Sequence, residues 1–112
     1  MTGKYRFIQT PFFSFDLDET GELDLLESIE AEITRNPEGG SLLKAGIRKI
    51  RVASTKRHEG KSGGYRVWFY HHKPENMLLL LLLDKREAAD LTLDQKKQLA
   101  KMLKDWVGGK QQ

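Results

Sequence analysis

The feature that most constrains the fold is a pair of alternating apolar and polar segments joined by a cationic, glycine-rich connection. Ile50 and Val52 alternate with Lys49 and Arg51 in the first segment. In the second segment Tyr65, Val67 and Phe69 alternate with Arg66, Trp68 and Tyr70. Successive side chains of a strand point to opposite faces of a sheet. The alternation therefore predicts a hairpin with one face on a core and one charged face.

The predicted hairpin collects three cations on its charged face. If Val67 faces the core together with Ile50, then Lys49, Arg51 and Arg66 lie side by side on the opposite face. This face is expected to be open to solvent, and Arg66 is expected to be largely exposed.

Charge is unevenly distributed along the chain, although its net value is only +3. Residues 1–43 contain three cations and nine acids, whereas residues 44–112 contain sixteen cations and seven acids. Eight of these cations and a single acid, Glu59, fall between Lys44 and Arg66. A polyanionic partner is expected for this basic segment, with a merely solvated surface as the alternative.

Length and composition predict one soluble globular domain over residues 1–112. The absence of cysteine excludes disulfides and thiolate metal sites and fits a reducing cytoplasm. The longest apolar run, residues 77–83, is far shorter than the roughly 18 residues that span a bilayer. No apolar signal region opens the chain, so no membrane association is expected.

The N-terminal part predicts a short strand and a helix. The strand is expected at residues 4–9, and the aromatic residues that follow it are expected to anchor the core: Phe12, Phe13 and Phe15. A helix is predicted over residues 22–34, because apolar residues recur there at helical spacing: Leu23, Leu26, Ile29 and Ile33. Asn36-Pro37 is expected to end it.

The C-terminal part predicts a buried strand and a second helix. The run at residues 77–83 is apolar on both faces and bounded by turn residues, which favours a central strand covered on both sides. Thr92 and Gln95 match a capping box. The stripe that follows predicts a helix ending at Gly108, with apolar positions at Leu99, Met102, Leu103 and Trp106.

The hairpin connection suggests phosphate contact. Gly60, Lys61 and Ser62 match the end of a nucleotide-binding P-loop, but the glycine that this motif requires five residues earlier is replaced by Thr55. We expect Lys61, Ser62 and the backbone of residues 63–64 to contact a phosphate instead, with the glycines permitting close approach. An ordinary flexible hairpin loop is the alternative.

Neither a metal nor a cofactor is expected. His58, His71 and His72 are not expected to form a metal site. The adjacent His71 and His72 would face opposite ways on a strand, and no cluster of His, Asp or Glu supports either one. No Ser-His-Asp or Cys-His arrangement is visible by spacing.

The remaining candidates for a functional site are six cations: Lys49, Arg51, Lys61, Arg66, Lys85 and Arg86. They either neutralise phosphates only or cleave RNA. Cleavage by the neighbouring 2′-hydroxyl needs a base, charge stabilisation at phosphorus and an acid. Crowded cations lower the pKa of a lysine, and arginines suit the doubly charged transition state through forked hydrogen bonds.

Several segments together resemble the RelE/ParE toxin superfamily, most closely its HigB-like RelE branch. The matching segments are NPEGGSLLKAG (36–46), GIRKIRVAS (46–54), GKSGGYRVWFY (60–70), DKREAADL (84–91) and TLDQKKQLAKMLKDW (92–106). The resemblance extends over roughly residues 23–106. It implies an α+β fold of the RelE-like microbial RNase type, in which a small antiparallel sheet carries N-terminal helical segments and a C-terminal helix.

The resemblance also implies a function. RelE-like members are toxins of type II toxin–antitoxin modules and cleave mRNA in the ribosome without a metal, so the chain is expected to be an endoribonuclease (mRNA interferase). A ParE-like gyrase inhibitor and a non-catalytic nucleic-acid-binding module are the alternatives. The implied partners are the ribosome with its mRNA and a cognate helix-turn-helix antitoxin, with operator DNA contacted only through the antitoxin.

By position, the resemblance assigns five catalytic residues. One of Lys49 and Arg51 is the expected base, Arg66 steadies the phosphate, and one of Lys85 and Arg86 is the expected acid. RNA contacts are also expected from five residues in and before the hairpin connection: Arg48, Lys56, Arg57, Lys61 and Ser62.

One aromatic position of the resemblance is missing. RelE has a base-stacking tyrosine shortly after the closing basic residues, whereas this chain reads EAADLT at residues 87–92. Tyr65, Trp68 and Tyr70 are the alternatives for stacking, and Tyr65 fits the core equally well.

Overall fold

A computed structural model describes residues 5–56, 60, 63–85 and 90–107 of the chain. These residues form three α-helices, five strands and one short 3₁₀ turn. In chain order the elements are β1 (Arg6–Gln9), α1 (Pro11–Thr20), α2 (Leu25–Arg35), β2 (Ser41–Leu42), the 3₁₀ turn (Lys44–Gly46), β3 (Arg48–Val52), β4 (Tyr65–His72), β5 (Asn76–Asp84) and α3 (Leu93–Val107). The predicted α+β class is confirmed, with helices before the main hairpin and a helix at the C-terminal end.

The strands form a single sheet in the order β1-β5-β4-β3-β2. The β2–β3, β3–β4 and β4–β5 pairs are antiparallel, as the hairpin pattern predicts. The β1–β5 pair is parallel, with Phe7 opposite Met77. This added parallel pair places β5 between two strands.

Helices cover both faces of the sheet. Buried residues of α1 and α2 pack on one face, which we call the α2 face, against side chains that include Ile50, Val52 and Val67. On the other face, the α3 face, Leu99 and Leu103 of α3 form a cluster with buried residues of β4 and β5. Residues 77–83 are buried throughout, which confirms the predicted central strand covered on both sides.

Helix α1 was not predicted, although its boundaries have local signals. Thr10 caps its first turn by accepting the Phe13 N–H at 3.1 Å, and Pro11 occupies the first turn. Gly21 ends the helix at φ +68°, a conformation that favours glycine. The helical spacing buries Phe13 alone, so the prediction that Phe12 and Phe15 anchor the core is wrong.

Helix α2 begins at Leu25, three residues later than predicted. Its buried stripe is Leu25, Ile29 and Ile33, at a spacing of four residues, whereas Leu23 precedes the helix and is 97% exposed. The later start leaves Glu22 in the segment between α1 and α2, where its side chain is buried.

The predicted capping box of α3 is confirmed. Thr92 Oγ1 accepts the Gln95 N–H at 3.1 Å, and Gln95 Oε1 accepts the Thr92 N–H at 2.8 Å. The cap fixes where the helix begins and thereby directs Leu99 and Leu103 onto the sheet.

Candidate functional site

The register of the β3–β4 hairpin confirms the predicted face assignment. Arg51 lies directly opposite Arg66, and Lys49 lies opposite Trp68. Ile50 pairs with Val67 and faces the α2 core. The three predicted cations therefore share the α3 face.

The expectation that Arg66 is largely exposed is wrong. Its side chain is buried, with only 6% exposed, whereas Arg51 is exposed and Lys49 is half-buried. The reason is the sheet topology, because β4 is an interior strand. Arg66 is flanked by Arg51 on β3 and by Leu83 on β5.

The three cations line one pocket of about 370 Å³ at the edge of the sheet. Residues that follow α2 and residues of β2 complete its wall, together with the end of α2 itself. The lining consists of Glu32, Asn36, Gly39, Gly40, Ser41, Lys49, Ile50, Arg51 and Arg66. Among the described lining residues, three are cations and one is an acid, Glu32, which forms an ion pair with Arg35.

The pocket is unfavourable for further positive charge. Burial lowers the pKa of Arg66, and the neighbouring charge of Arg51 lowers it further. Both effects oppose the charged guanidinium, so an anion that enters the pocket would relieve them. The site is therefore suited to a phosphate.

Local contacts hold Lys49 and the pocket wall in place. The Lys49 ammonium lies 5.6 Å from the centre of the Trp68 ring, a cation–π contact within one face of the hairpin. Gly40 has φ +72°, and a Cβ there would stand 2.2 Å from the Lys49 carbonyl oxygen. Only glycine lets β2 approach β3 this closely at the pocket.

Of the two remaining predicted catalytic residues, Lys85 lies just after β5, beside the start of β4. Lys85 is half-buried and donates its N–H to the Gly64 carbonyl at 3.0 Å, next to Tyr65, where β4 begins. It is not among the described residues that line the pocket. Arg86 lies outside the described residues.

Of the five residues predicted to contact RNA, the structure describes two, Arg48 and Lys56, and they lie beyond opposite ends of the β3 core positions Ile50 and Val52. Arg48 lies on the α2 face, where its Nη1 donates to the Glu38 carbonyl at 2.7 Å. Lys56 is exposed just beyond β3. Arg57, Lys61 and Ser62 lie outside the described residues, so their role remains a prediction.

The alternatives for base stacking are reduced to one. Tyr65 and Trp68 are buried, with 1% and 2% exposed respectively, and cannot offer a ring face to a base. Tyr70 is half-buried and lies on the α3 face. Of the three, only Tyr70 has an accessible ring.

The expectation that Gly64 gives a phosphate close access is wrong. Gly64 is buried, and a Cβ there would stand 2.2 Å from the Val52 carbonyl oxygen and 3.0 Å from the Ser54 nitrogen. The glycine is needed so that the two ends of the hairpin connection can touch each other.

Sequence reasoning missed Glu22. Its carboxylate accepts four hydrogen bonds: from Ser54 Oγ at 2.6 Å, the Thr55 N–H at 2.7 Å, Thr55 Oγ1 at 2.9 Å and the Tyr65 hydroxyl at 2.6 Å. Glu22 has the same character in the sequence as the other acids around α2. Its partners lie more than thirty residues away, so no local pattern reveals them.

These hydrogen bonds control the ionisation of Glu22. Burial alone raises the pKa of its carboxyl, but the four hydrogen bonds favour the carboxylate and lower the pKa to about 2. The ordinary value is 4.5, so Glu22 is more acidic in the folded than in the unfolded chain.

Glu22 is therefore expected to make folding sensitive to acid. Since its pKa is lowered by folding, its stabilising contribution is complete above about pH 4.5 and is lost as the pH falls towards 2. Chemical denaturation of the wild type and of Glu22→Gln between pH 2 and 7 measures this contribution. The variant should lose less stability on acidification, and parallel curves for the two proteins would contradict the prediction.

No protein-family model matches the chain. Within the described ranges, no group of three or more His, Cys, Asp or Glu side chains is arranged to hold a metal ion. No helix in the same ranges combines the length and apolar character needed to cross a membrane.

Proposed function

We propose that this protein is the toxin of a type II toxin–antitoxin module and that it cleaves ribosome-bound mRNA. The observation that supports this proposal most is the pocket shared by Lys49, Arg51 and Arg66. It joins three of the five residues that the RelE-like resemblance marks as catalytic, although they come from two different strands.

The pocket suits phosphodiester chemistry. In the proposed reaction the 2′-oxygen of the RNA attacks the adjacent phosphorus, and the bond to the 5′-oxygen breaks to leave a 2′,3′-cyclic phosphate. One of Lys49 and Arg51 removes the proton from the 2′-hydroxyl. Arg66 donates hydrogen bonds to the phosphoryl oxygens, where charge develops in the transition state.

The acid that protonates the 5′-oxygen is proposed to come from the end of β5. Lys85 is tied to Gly64 through its backbone and therefore lies at the same end of the hairpin as Arg66. Arg86 is the second candidate by sequence. Both would act from the side of the phosphate opposite the base.

We expect cleavage to continue in the presence of EDTA. Three cations around one pocket repel a divalent ion and already supply the positive charge that such an ion would bring to the phosphate. The assay uses purified protein and programmed ribosomes with and without chelator, at a magnesium level that keeps the ribosomes intact. Cleavage that is abolished by chelator, and restored by a divalent ion the ribosome does not require, would contradict the proposal.

Mapping of mRNA ends after expression in cells tests the function itself. Cuts within translated codons, absent when translation is blocked, are expected. A parallel supercoiling assay separates the alternatives, because inhibition of gyrase without RNA cleavage would favour a ParE-like toxin. Binding of nucleic acid with neither effect would favour a non-catalytic module.

A second surface supports the antitoxin as a partner. A groove of about 1120 Å³ runs between α3 and the segment around β2 and the 3₁₀ turn. Its floor is apolar and includes Ile47, Trp68 and Leu99, and Leu42 at its edge is 62% exposed. Among the described residues that line it, four are lysines and one is an acid: Lys44, Lys49, Lys96, Lys104 and Asp90.

We infer that an acidic, amphipathic segment of the antitoxin occupies this groove. Lys49 lines both the groove and the catalytic pocket, so such a segment would also block the site. Reversing the charge of Lys96 and Lys104 should slow association with the neighbouring-gene antitoxin and reduce its salt dependence. Lys97→Glu, on the same helix but outside the groove lining, is the matched control. Equal effects of both variants would contradict the assignment.

A further inference from the structure

A single buried carboxylate closes the base of the β3–β4 connection. Glu22 Oε2 accepts Ser54 Oγ at 2.6 Å, just after β3 ends, and the Tyr65 hydroxyl at 2.6 Å, where β4 begins. Glu22 Oε1 accepts both the N–H and the Oγ1 of Thr55. Glu22 thus joins the two ends of a connection that spans residues 53–64.

The next pair of residues along the hairpin, Arg51 and Arg66, would tend to separate unless the two strands were held together at this end. Arg51 and Arg66 lie directly opposite each other on the α3 face, one step from the Val52–Tyr65 pair. Like charges that face each other across two strands are destabilising, and burial of Arg66 strengthens this repulsion. Repulsion at this position favours separation of the strands at the end that Glu22 holds.

We propose that Glu22 is a positioning residue, which acts from the α2 face to hold Arg51 and Arg66 at the spacing that one phosphate requires. That the ligand is a phosphate rests on the proposed function. The role of Glu22 in holding the two arginines in place does not. The four hydrogen bonds of the carboxylate go to Ser54, Thr55 and Tyr65. Glu22 therefore acts on the arginine pair through Tyr65, the residue before Arg66, and through the residues that follow β3.

The end of the hairpin that Glu22 holds is also bonded to the residue that follows β5. Gly64 lies against the Val52 carbonyl and the Ser54 nitrogen, and its own carbonyl accepts the Lys85 N–H at 3.0 Å. Movement of the hairpin ends would therefore also move Lys85. Glu22 thereby influences both the arginine pair and the proposed acid.

Two variants test the closure. Glu22→Gln removes the negative charge, and Tyr65→Phe removes only the hydrogen bond to β4. Ile33→Val, in the same core but remote from the carboxylate, is the control for a general loss of stability. All are assayed by single-turnover cleavage on saturating ribosomes, well below their melting temperatures.

Both test variants should lower the saturated rate by about 10- to 100-fold, the effect of a small misplacement of reacting groups. The ribosome concentration at half-maximal rate should stay unchanged, because the exposed cations that contact RNA are intact. Ile33→Val should keep the wild-type rate even if its melting temperature falls. Wild-type rates in both test variants would overturn the inference and leave the proposed function standing.

Amide hydrogen exchange gives a readout independent of activity. Residues 51 and 66 should exchange faster in Glu22→Gln and Tyr65→Phe than in Ile33→Val, because the hairpin end opens more often. If the wild type cleaves no RNA, the proposed function fails. The exchange rates alone then decide whether Glu22 holds Arg51 and Arg66 in place. Equal protection in the test variants and in the control would overturn this role of Glu22.

Discussion

Replacing Arg66 with methionine is expected to lower the saturated cleavage rate about 100- to 1000-fold, the usual cost of losing one transition-state donor. The same change should leave the melting temperature unchanged or raise it. Arg66 lines the proposed phosphate pocket but is buried beside Arg51, and both features oppose its charge. Activity and stability should therefore change independently.

The stability half of this prediction follows from the environment of the guanidinium. Burial and the charge of Arg51 both lower the pKa of Arg66, which means that the fold penalises the charged form. Methionine fills a similar volume and carries no charge. Apolar residues of similar volume that replace buried ion pairs are often neutral or stabilising, because the cost of burying charge is removed, and we expect the same sign for this single charge.

Single-turnover cleavage and thermal melting of the same preparations measure both halves. Arg6→Met is the matched control, since Arg6 is exposed on β1 at the opposite edge of the sheet. The control should keep the wild-type rate. An unchanged rate in Arg66→Met would leave Arg66 without a catalytic role, and a large fall in melting temperature would show that its charge stabilises the fold.

Strand alternation predicted that Lys49, Arg51 and Arg66 share one face of the sheet. The period of two residues fixed which side chains of β3 and β4 share a face, because a slip of one residue would move either Val67 or both Ile50 and Val52 away from the core. Burial of Arg66 could not be predicted in this way. It depends on β5 lying beside β4, a pairing that the alternation within β4 does not reveal.

Helix boundaries near the N-terminus were less predictable. Leu23 and Leu25 both fit an apolar stripe, and only packing against the sheet shows that the helix uses Leu25. Glu22 lies outside the helix for the same reason. Its hydrogen bonds to residues 54, 55 and 65 depend on tertiary contacts, for which local sequence carries no signal.

Gly64→Ala is expected to destabilise the fold severely, by about 3 kcal/mol or more. A Cβ at this position would stand 2.2 Å from the Val52 carbonyl oxygen and 2.9 Å from the Ala53 Cα. Both are backbone atoms in or beside a sheet, so they cannot move aside as the end of a flexible side chain can. The Gly64 carbonyl also holds the Lys85 N–H, and displacement would weaken that bond as well.

Gly60→Ala separates this steric effect from the general cost of replacing glycine in the same connection. Gly60 has φ +71°, and a Cβ there would meet no heavy atom of the described residues within 4 Å, so alanine should cost only about 1–2 kcal/mol of backbone strain. Thermal melting should show a fall of about 10 °C or more for Gly64→Ala and a clearly smaller one for Gly60→Ala. Equal shifts would contradict the close packing of Gly64. A Gly64→Ala protein that melts normally but binds RNA weakly would restore the interpretation that this glycine admits a phosphate.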